Sequence, residues 1–264
     1  MNSSLQKAES LKARKVASGA LPVTCLTAYD YATGRILDEA GIDFILVGDS
    51  LGMVVLGYPD TTHVTMHHML HHVAAVARGV EKAFIVGDLP IHSYDTPEQA
   101  LSNALLLIEA GADAVKLEGG IDQAEKVKTI VDAGIPVVGH LGMLPQSVLE
   151  EGGYKKKGKT DRELEILKQD ALALQSAGVC AIVLESVIYT SALEITKSID
   201  IPTIGIGCSS KDKEAPESCD GEVAVISDLI GSYPWFVPPF ATPRASVAED
   251  TSRAVKEYIQ SVRS

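Results

Sequence analysis

Short apolar runs that end in a polar residue recur along this chain. Residues 44–47, Phe-Ile-Leu-Val, pass straight into Gly48, Asp49, Ser50, Leu51 and Gly52, so a segment of strand length ends in a carboxylate, a hydroxyl and glycines. Apolar runs of this kind closed by turn signals suit strands covered on both faces. Helix-length stretches end at Ala40-Gly41, Ala110-Gly111, Ala133-Gly134 and Ala177-Gly178, and an apolar run follows each, at residues 42–48, 114–118, 136–140 and 181–185. Glycine there suits the left-handed C-cap position. Two further runs, 83–88 and 202–207, come without the Ala-Gly lead; residues 22–30 read as a first strand ending in Asp30, and 223–226 as the eighth. Residues 5–17 read as a short surface helix and 248–262 as a closing amphipathic helix. Loops are expected at 57–64, 152–160 and 208–220.

Strand and helix alternating over the whole length predict parallel strands with right-handed crossovers. About eight such units predict a closed (β/α)8 TIM barrel, a single α/β domain over residues 1–264 with a short N-terminal helix. The alternative, a doubly wound open sheet, lacks its Gly-x-Gly-x-x-Gly at the first strand-to-helix turn. The length of 264 residues suits one barrel.

A formal net charge of -12 argues against a nucleic-acid partner, which needs a basic face. The four cysteines, Cys25, Cys180, Cys208 and Cys219, form no Cys-x-x-Cys pair and suit a reduced, cytoplasmic protein. Residues 1–18 are polar and Lys-rich without an apolar core of signal-peptide length, and no stretch approaches the ~18 apolar residues of a membrane span, so neither export nor a membrane is expected.

The polar residues after the strands are Asp30, Asp49, Asp88, Glu118, His140 and Glu185. In a barrel they converge at the C-terminal mouth. A single Asp at such a turn reads as a helix N-cap; five acids round one mouth repel one another, and a cation is the natural compensation. Oxygen ligands favour a hard ion such as Mg2+, with Mn2+ or Co2+ also admissible. Lys116 lies two residues before Glu118 and so shares its face. An ammonium among apolar strands needs a partner; it can hold a substrate carboxylate or oxyanion or act as a Schiff-base nucleophile, and the nearby acids favour the ion-paired role.

Eight segments in order carry a family resemblance: Thr27 to Asp30, Val47 to Met53, Gly87 to Pro90, Val115 to Gly120, Gly139 to Gly142, Pro145 to Ser147, Gly152 to Tyr154, and Leu184-Glu185. Together, over residues 22–207, they resemble the 3-methyl-2-oxobutanoate hydroxymethyltransferases, also called ketopantoate hydroxymethyltransferases, of the phosphoenolpyruvate/pyruvate barrel superfamily. The resemblance implies a Mg2+-dependent enzyme that moves a hydroxymethyl group from 5,10-methylenetetrahydrofolate to 3-methyl-2-oxobutanoate through an enolate. The product would be 2-dehydropantoate, on the route to pantothenate and coenzyme A. Asp49 and Asp88 match metal ligands, and Glu118 a carboxylate of the metal shell acting through water. Ser50, Asp88 and Lys116 match contacts to the oxo acid; His140 faces the new hydroxymethyl group and Glu185 is the base. A homo-oligomer, a decamer of two stacked pentameric rings, is also implied.

The likeness breaks after Gly207, where the family continues with Ala-Gly and soon reaches Asp-Gly-Gln. Here Cys208-Ser209-Ser210 and a charged stretch precede Asp220-Gly221-Glu222, and an apolar segment, Pro234 to Phe240, replaces one with basic residues. These departures bear on folate binding and on subunit contacts, and they leave open a divergent C–C lyase or transferase acting on another 2-oxo acid or acceptor, and a non-catalytic barrel subunit. Two other signals stand apart. His63, His67, His68, His71 and His72 include i, i+4 pairs that suit zinc, but no Glu is placed as in His-Glu-x-x-His, so a surface helix is the preferred reading. Lys155, Lys156, Lys157 and Lys159 read equally as a clamp for an anionic folate tail and as a solvated loop.

Overall fold

The computed structural model of the protein describes residues 3–16, 19–210, 212, 214–215 and 217–264. Eight strands close in chain order into one barrel: β1 (Val23–Thr27), β2 (Phe44–Val47), β3 (Phe84–Asp88), β4 (Ala114–Glu118), β5 (Val137–Gly142), β6 (Ala181–Glu185), β7 (Thr203–Ile206) and β8 (Gly221–Ala224). Successive strands pair in parallel. Helix α1 (Ser3–Lys12) precedes β1, and α2 (Tyr31–Ala40), α3 (Leu51–Val54), α4 (Met66–Ala77), α5 (Pro97–Glu109), α6 (Ala124–Asp132), α7 (Asp161–Ala177) and α8 (Tyr189–Ser198) fill the crossovers up to β7. This is the expected (β/α)8 barrel, and closure rules out the open doubly wound sheet.

Residues through Val223 form one compact unit and Ala224–Ser264 a second. The second holds α9 (Ile226–Ile230) and α10 (Val247–Arg263), and no residue of α10 is buried.

The helix ends follow local chemistry. Asp30 accepts from the Thr33 N–H and caps α2, Thr65 and His68 form a capping box on α4, and Thr160 caps α7. Gly41, Gly111, Gly134 and Gly178 all have positive φ, as the Ala-Gly pattern required.

Among the boundaries that differ from the sequence reading, such as β1 ending at Thr27 rather than Asp30, two are set by contacts distant in sequence. The eighth strand is Gly221–Ala224 rather than 223–226, because the Asp220 carboxylate bonds the Thr203 N–H at 3.0 Å and the Val16 N–H at 2.9 Å and sets where β8 begins, while Ile226 already opens α9. The N-terminal helix is shorter than 5–17 and is not a surface helix; Ala17 lies outside the described residues. Ala8 and Leu11, three apart on one face of α1, are buried with Cys25, Phe44, Phe84, Ala114, Val138 and Ala181 in the barrel interior. Lys7 pins the helix to the Ala83 carbonyl and Asp113.

Asp38, near the end of α2, holds the lead into β3. Its carboxylate accepts from the N–H groups of Glu81, Lys82 and Ala83 at 3.1, 3.0 and 2.7 Å. Burial works against its charge, but these bonds outweigh burial and keep its pKa below the ordinary value. Asp38→Ala, which strands buried donors, should lower unfolding free energy in urea by about 1–3 kcal/mol at neutral pH. Because the folded pKa is depressed, this contribution is complete above the unfolded value of ~3.9 and is lost as pH falls through the folded value. The two proteins should therefore converge in acid.

Candidate active site

The strand register gathers the polar strand ends. Asp88 pairs with Lys116, Glu118 with His140, and Gly142 with Glu185 on neighbouring strands, while Asp49 directly follows β2. Asp49, Asp88, Lys116, Glu118 and His140 are all buried. Lys116 Nζ is 3.2 Å from Asp88 Oδ2 and 3.2 Å from His140 Nδ1. His140 Nδ1 is 3.4 Å from Glu118 Oε1, and its Nε2 is 3.3 Å from Glu185 Oε2. These last two pairs are at ion-pairing distance without hydrogen-bond alignment, and His140 Nε2, Glu118 Oε1 and Asp88 Oδ1 have no hydrogen-bond partner among the described residues. The Asp49 N–H donates to Asp88 Oδ2 at 3.1 Å. Ser50 opens α3, with its Oγ 2.9 Å from the Tyr29 hydroxyl.

Asp30 is not part of this group. It is exposed and bonds Thr33 through backbone and hydroxyl, so at this one strand end the capping reading is correct.

Burial pushes the Asp49 carboxyl well above the usual carboxylate range, and the Asp88 and Glu118 charges add to it. Burial also raises Asp88, with Lys116 and the Asp49 N–H pulling the other way. Glu118 is lowered: burial opposes its charge, but His140, Lys116 and the Gln146 N–H outweigh burial. Burial and the Lys116 charge work against a proton on His140, yet Glu118 and Glu185 lift it to about 9. Lys116 is also raised, because Asp88, Glu118 and Asp49 outweigh the desolvation of its ammonium. Two cations therefore stand among Asp49, Asp88, Glu118 and Glu185, and with all four acids ionised the cluster lacks two positive charges.

That deficit matches one divalent ion. Among the described residues no three His, Cys, Asp or Glu side chains form a ready-made cage, but Mg2+ is held by one or two carboxylates and keeps water and substrate in its other positions. Asp88 Oδ1 is a buried acceptor with no donor, Asp49 lies beside it, and Glu118 Oε1 is likewise without a donor. An all-oxygen set of this kind fits a hard divalent ion.

The model of the ketopantoate hydroxymethyltransferase family matches residues 7–264. Among curated relatives, the 3-methyl-2-oxobutanoate hydroxymethyltransferase of Acetivibrio thermocellus is 54% identical over 91% of this chain and 83% of its own. That of Ignicoccus hospitalis is 52% identical over 92% and 89%. The chain belongs to the ketopantoate hydroxymethyltransferase family. It is accordingly a hydroxymethyl-transferring enzyme. Solved structures share the fold at low identity: a putative phosphonomutase from Burkholderia cenocepacia (TM-score 0.69, 14% identical, 96% of this chain and 98% of that one). Another is phosphonopyruvate hydrolase in complex with oxalate and Mg++ (TM-score 0.63, 17% identical, 97% and 87%). A further neighbour is 2,3-dimethylmalate lyase, of the PEP mutase/isocitrate lyase superfamily (TM-score 0.63, 17% identical, 97% and 87%).

In this family member two further residues complete the site. Gln146 is buried; its Nε2 donates to Asp49 Oδ2 at 2.8 Å and to the Leu89 carbonyl at 3.0 Å, and its N–H donates to Glu118 Oε2 at 3.1 Å. The Tyr94 hydroxyl donates to Gln146 Oε1. One residue thus holds two of the acids in place, Asp49 through its side-chain amide and Glu118 through its backbone N–H. Pro145-Gln146-Ser147 was visible as a motif, but nothing in its spacing gave Gln146 a role, and Tyr94 carried no signal.

Loop contacts bear on the other readings. The segment around Lys157 runs along β6's end, with the Lys157 N–H on the Ser186 carbonyl and the Ile188 N–H on the Lys157 carbonyl. Ser186, directly after Glu185, holds the left-handed conformation at φ 51, a strain of order 1 kcal/mol or more for a residue with a Cβ. Lys157 pairs with Glu151 and Lys156 reaches the Gly207 carbonyl, so the lysines are partly committed. His67, His68, His71 and His72 lie on α4 and His63 just before it; His72 bonds the Tyr29 carbonyl and His68 the Thr65 cap.

Two substitutions probe the charge balance without added metal. Lys116→Met should destabilise the protein in urea by about 3–5 kcal/mol, because it strips the counter-charge from buried carboxylates. Asp49→Asn should do the reverse and stabilise by on the order of 1 kcal/mol at pH 7, since it removes a carboxylate whose raised pKa marks it as repelled.

Proposed function

We propose that this chain transfers the one-carbon unit of 5,10-methylenetetrahydrofolate to 3-methyl-2-oxobutanoate, with water supplying the hydroxyl oxygen, to give 2-dehydropantoate and tetrahydrofolate. The pathway would be that of pantothenate and coenzyme A. The observation that carries the reading is the cluster itself: donorless buried acceptors on Asp88 and Glu118 beside the paired Glu185 and His140, in a chain about half identical to named hydroxymethyltransferases.

Asp49 and Asp88 would hold a divalent ion, Mg2+ in the first instance, with Glu118 joining through water. When bound, such an ion supplies Lewis-acid stabilisation of charge developing on the 2-oxygen of the oxo acid. Lys116, kept protonated by its acidic neighbours, adds a fixed positive charge for the substrate carboxylate, and Ser50 offers a hydroxyl alongside. Glu185 removes the proton from C3, the step that makes that carbon a nucleophile toward the folate one-carbon unit. His140 presents Nε2 to Glu185, orienting the base and holding a proton near the oxygen of the new hydroxymethyl group. A different electrophile is not favoured, since relatives of the same activity match over nine-tenths of the chain. Exposed Trp235, Phe236 and Phe240 support a homo-oligomer, and among the described residues no helix is long and apolar enough to cross a membrane.

The test is product formation from 3-methyl-2-oxobutanoate, methylenetetrahydrofolate and Mg2+; absence of 2-dehydropantoate in folded, metal-loaded protein overturns the reading. Mg2+ at a hundredfold excess over its Kd should stabilise the wild type by about 2–3 kcal/mol. Asp49→Ala should lose both that shift and turnover, and a variant that keeps both sinks the metal assignment. Glu185→Gln should slow deuterium exchange at C3 by about 10²- to 10⁴-fold while still binding the oxo acid; undiminished exchange would mean that another group is the base.

A further inference from the structure

The β7-to-β8 connection, where the family likeness breaks, brings Cys208 and Cys219 together. Ile204 points into the barrel interior, so Gly205 faces outward. A Cβ added to Gly205 would stand 3.0 Å from Cys219 Sγ, 3.4 Å from Cys219 Cβ and 3.5 Å from Cys208 Cβ. The missing side chain leaves room for both cysteines over one point of the strand. Ser218 Oγ lies 3.1 Å from the Cys208 carbonyl and 3.7 Å from Cys219 Sγ. Cys208 Sγ donates to the Leu184 carbonyl at 3.1 Å. Both are buried, whereas Ser209, Asp212, Glu214 and Glu217 between them are exposed. Neither thiol has a part in the transfer reaction.

We propose that Cys208 and Cys219 form a reversible thiol–disulfide site, oxidised by a hydroperoxide to an intramolecular disulfide that staples the β7–β8 crossover. Cys219 is the attacking sulfur. The neighbouring Cys208 thiol pulls its pKa below the ordinary thiol value, outweighing burial, and the Ser218, Thr203 and Thr196 hydroxyls add to the effect. The Cys219 thiol beside it, with burial, raises Cys208. The Cys219 sulfur attacks the peroxide, the O–O bond breaks, and water or an alcohol leaves with the thiol proton to give a sulfenic acid. Cys208 then attacks that sulfur, the S–S bond forms, and a second water leaves. Two thiols lose two electrons and two protons, which the peroxide takes up. Cys25 and Cys180, whose thiols burial raises, serve as internal controls.

The experiment treats folded protein with hydrogen peroxide at neutral pH, quenches it, then denatures, alkylates and maps cysteines by peptide mass spectrometry. A single Cys208–Cys219 linkage is expected, with two of the four cysteines lost to alkylation and recovered after dithiothreitol. Cys208→Ser should leave Cys219 trapped as a dimedone adduct, and Cys219→Ser should give neither linkage nor adduct at Cys208. The oxidised wild type should melt above the reduced form, with no such rise in either variant. Four alkylatable cysteines in peroxide-treated wild type, linkages that involve Cys25 or Cys180, or a lower melting point on oxidation would each overturn the proposal.

Discussion

Closing eight parallel strands into a barrel forces every strand end to one rim, and this chain has placed charge at several of them. That constraint shapes the whole site. Once β4 is paired with β3 and β5, Lys116 must lie beside Asp88 and Glu118 beside His140. None of these groups can turn away to water, because their strands are covered on both faces. The charges must balance where they stand, and each ion's pKa follows from its neighbours. Lys116 and His140 stay protonated because acids surround them. Asp49 is pushed towards neutrality because burial and the Asp88 and Glu118 charges together outweigh the Lys116 cation.

A cluster of this kind costs stability, and the surrounding scaffold offsets it. The barrel interior is sealed at the other end by α1, whose Ala8 and Leu11 join the apolar cluster. Asp38 and Asp220 each gather several backbone donors at element boundaries. Gln146 orients Asp49 with its side-chain amide and Glu118 with its backbone N–H, neutral donors that add no charge to a site already crowded with it. Strain and unsatisfied polar groups occur at the rim, in Ser186 after Glu185 and in the donorless oxygens of Asp88 and Glu118. That distribution is expected where function, rather than stability, sets the local requirements.

Much of this was readable beforehand. The Ala-Gly signals marked helix ends because only a left-handed residue closes those turns cheaply, and all four glycines adopt that conformation. Asp49, Asp88, Lys116, Glu118, His140 and Glu185 were identifiable because strand alternation and strand ends are local properties. The misses have one cause in common. Asp30 obeys the same pattern as Asp49 but caps its own helix, and no local feature separates the two cases. The N-terminal helix looked like surface because two small apolar residues among lysines do not reveal that a barrel end awaits them. Where β8 begins depends on Asp220 reaching Thr203 and Val16, both distant in sequence.

By itself the sequence determined which backbone states each segment prefers, and therefore the number and order of strands and which side chains sit at their ends. These follow from steric and hydrogen-bonding rules that act within a few residues. Only the tertiary structure decided which of those ends share a charge environment, that Gln146 and Tyr94 belong with them, and that Cys208 meets Cys219 over Gly205. Such contacts join residues whose separation in the chain carries no information about their separation in space, and they exist only once the barrel has closed.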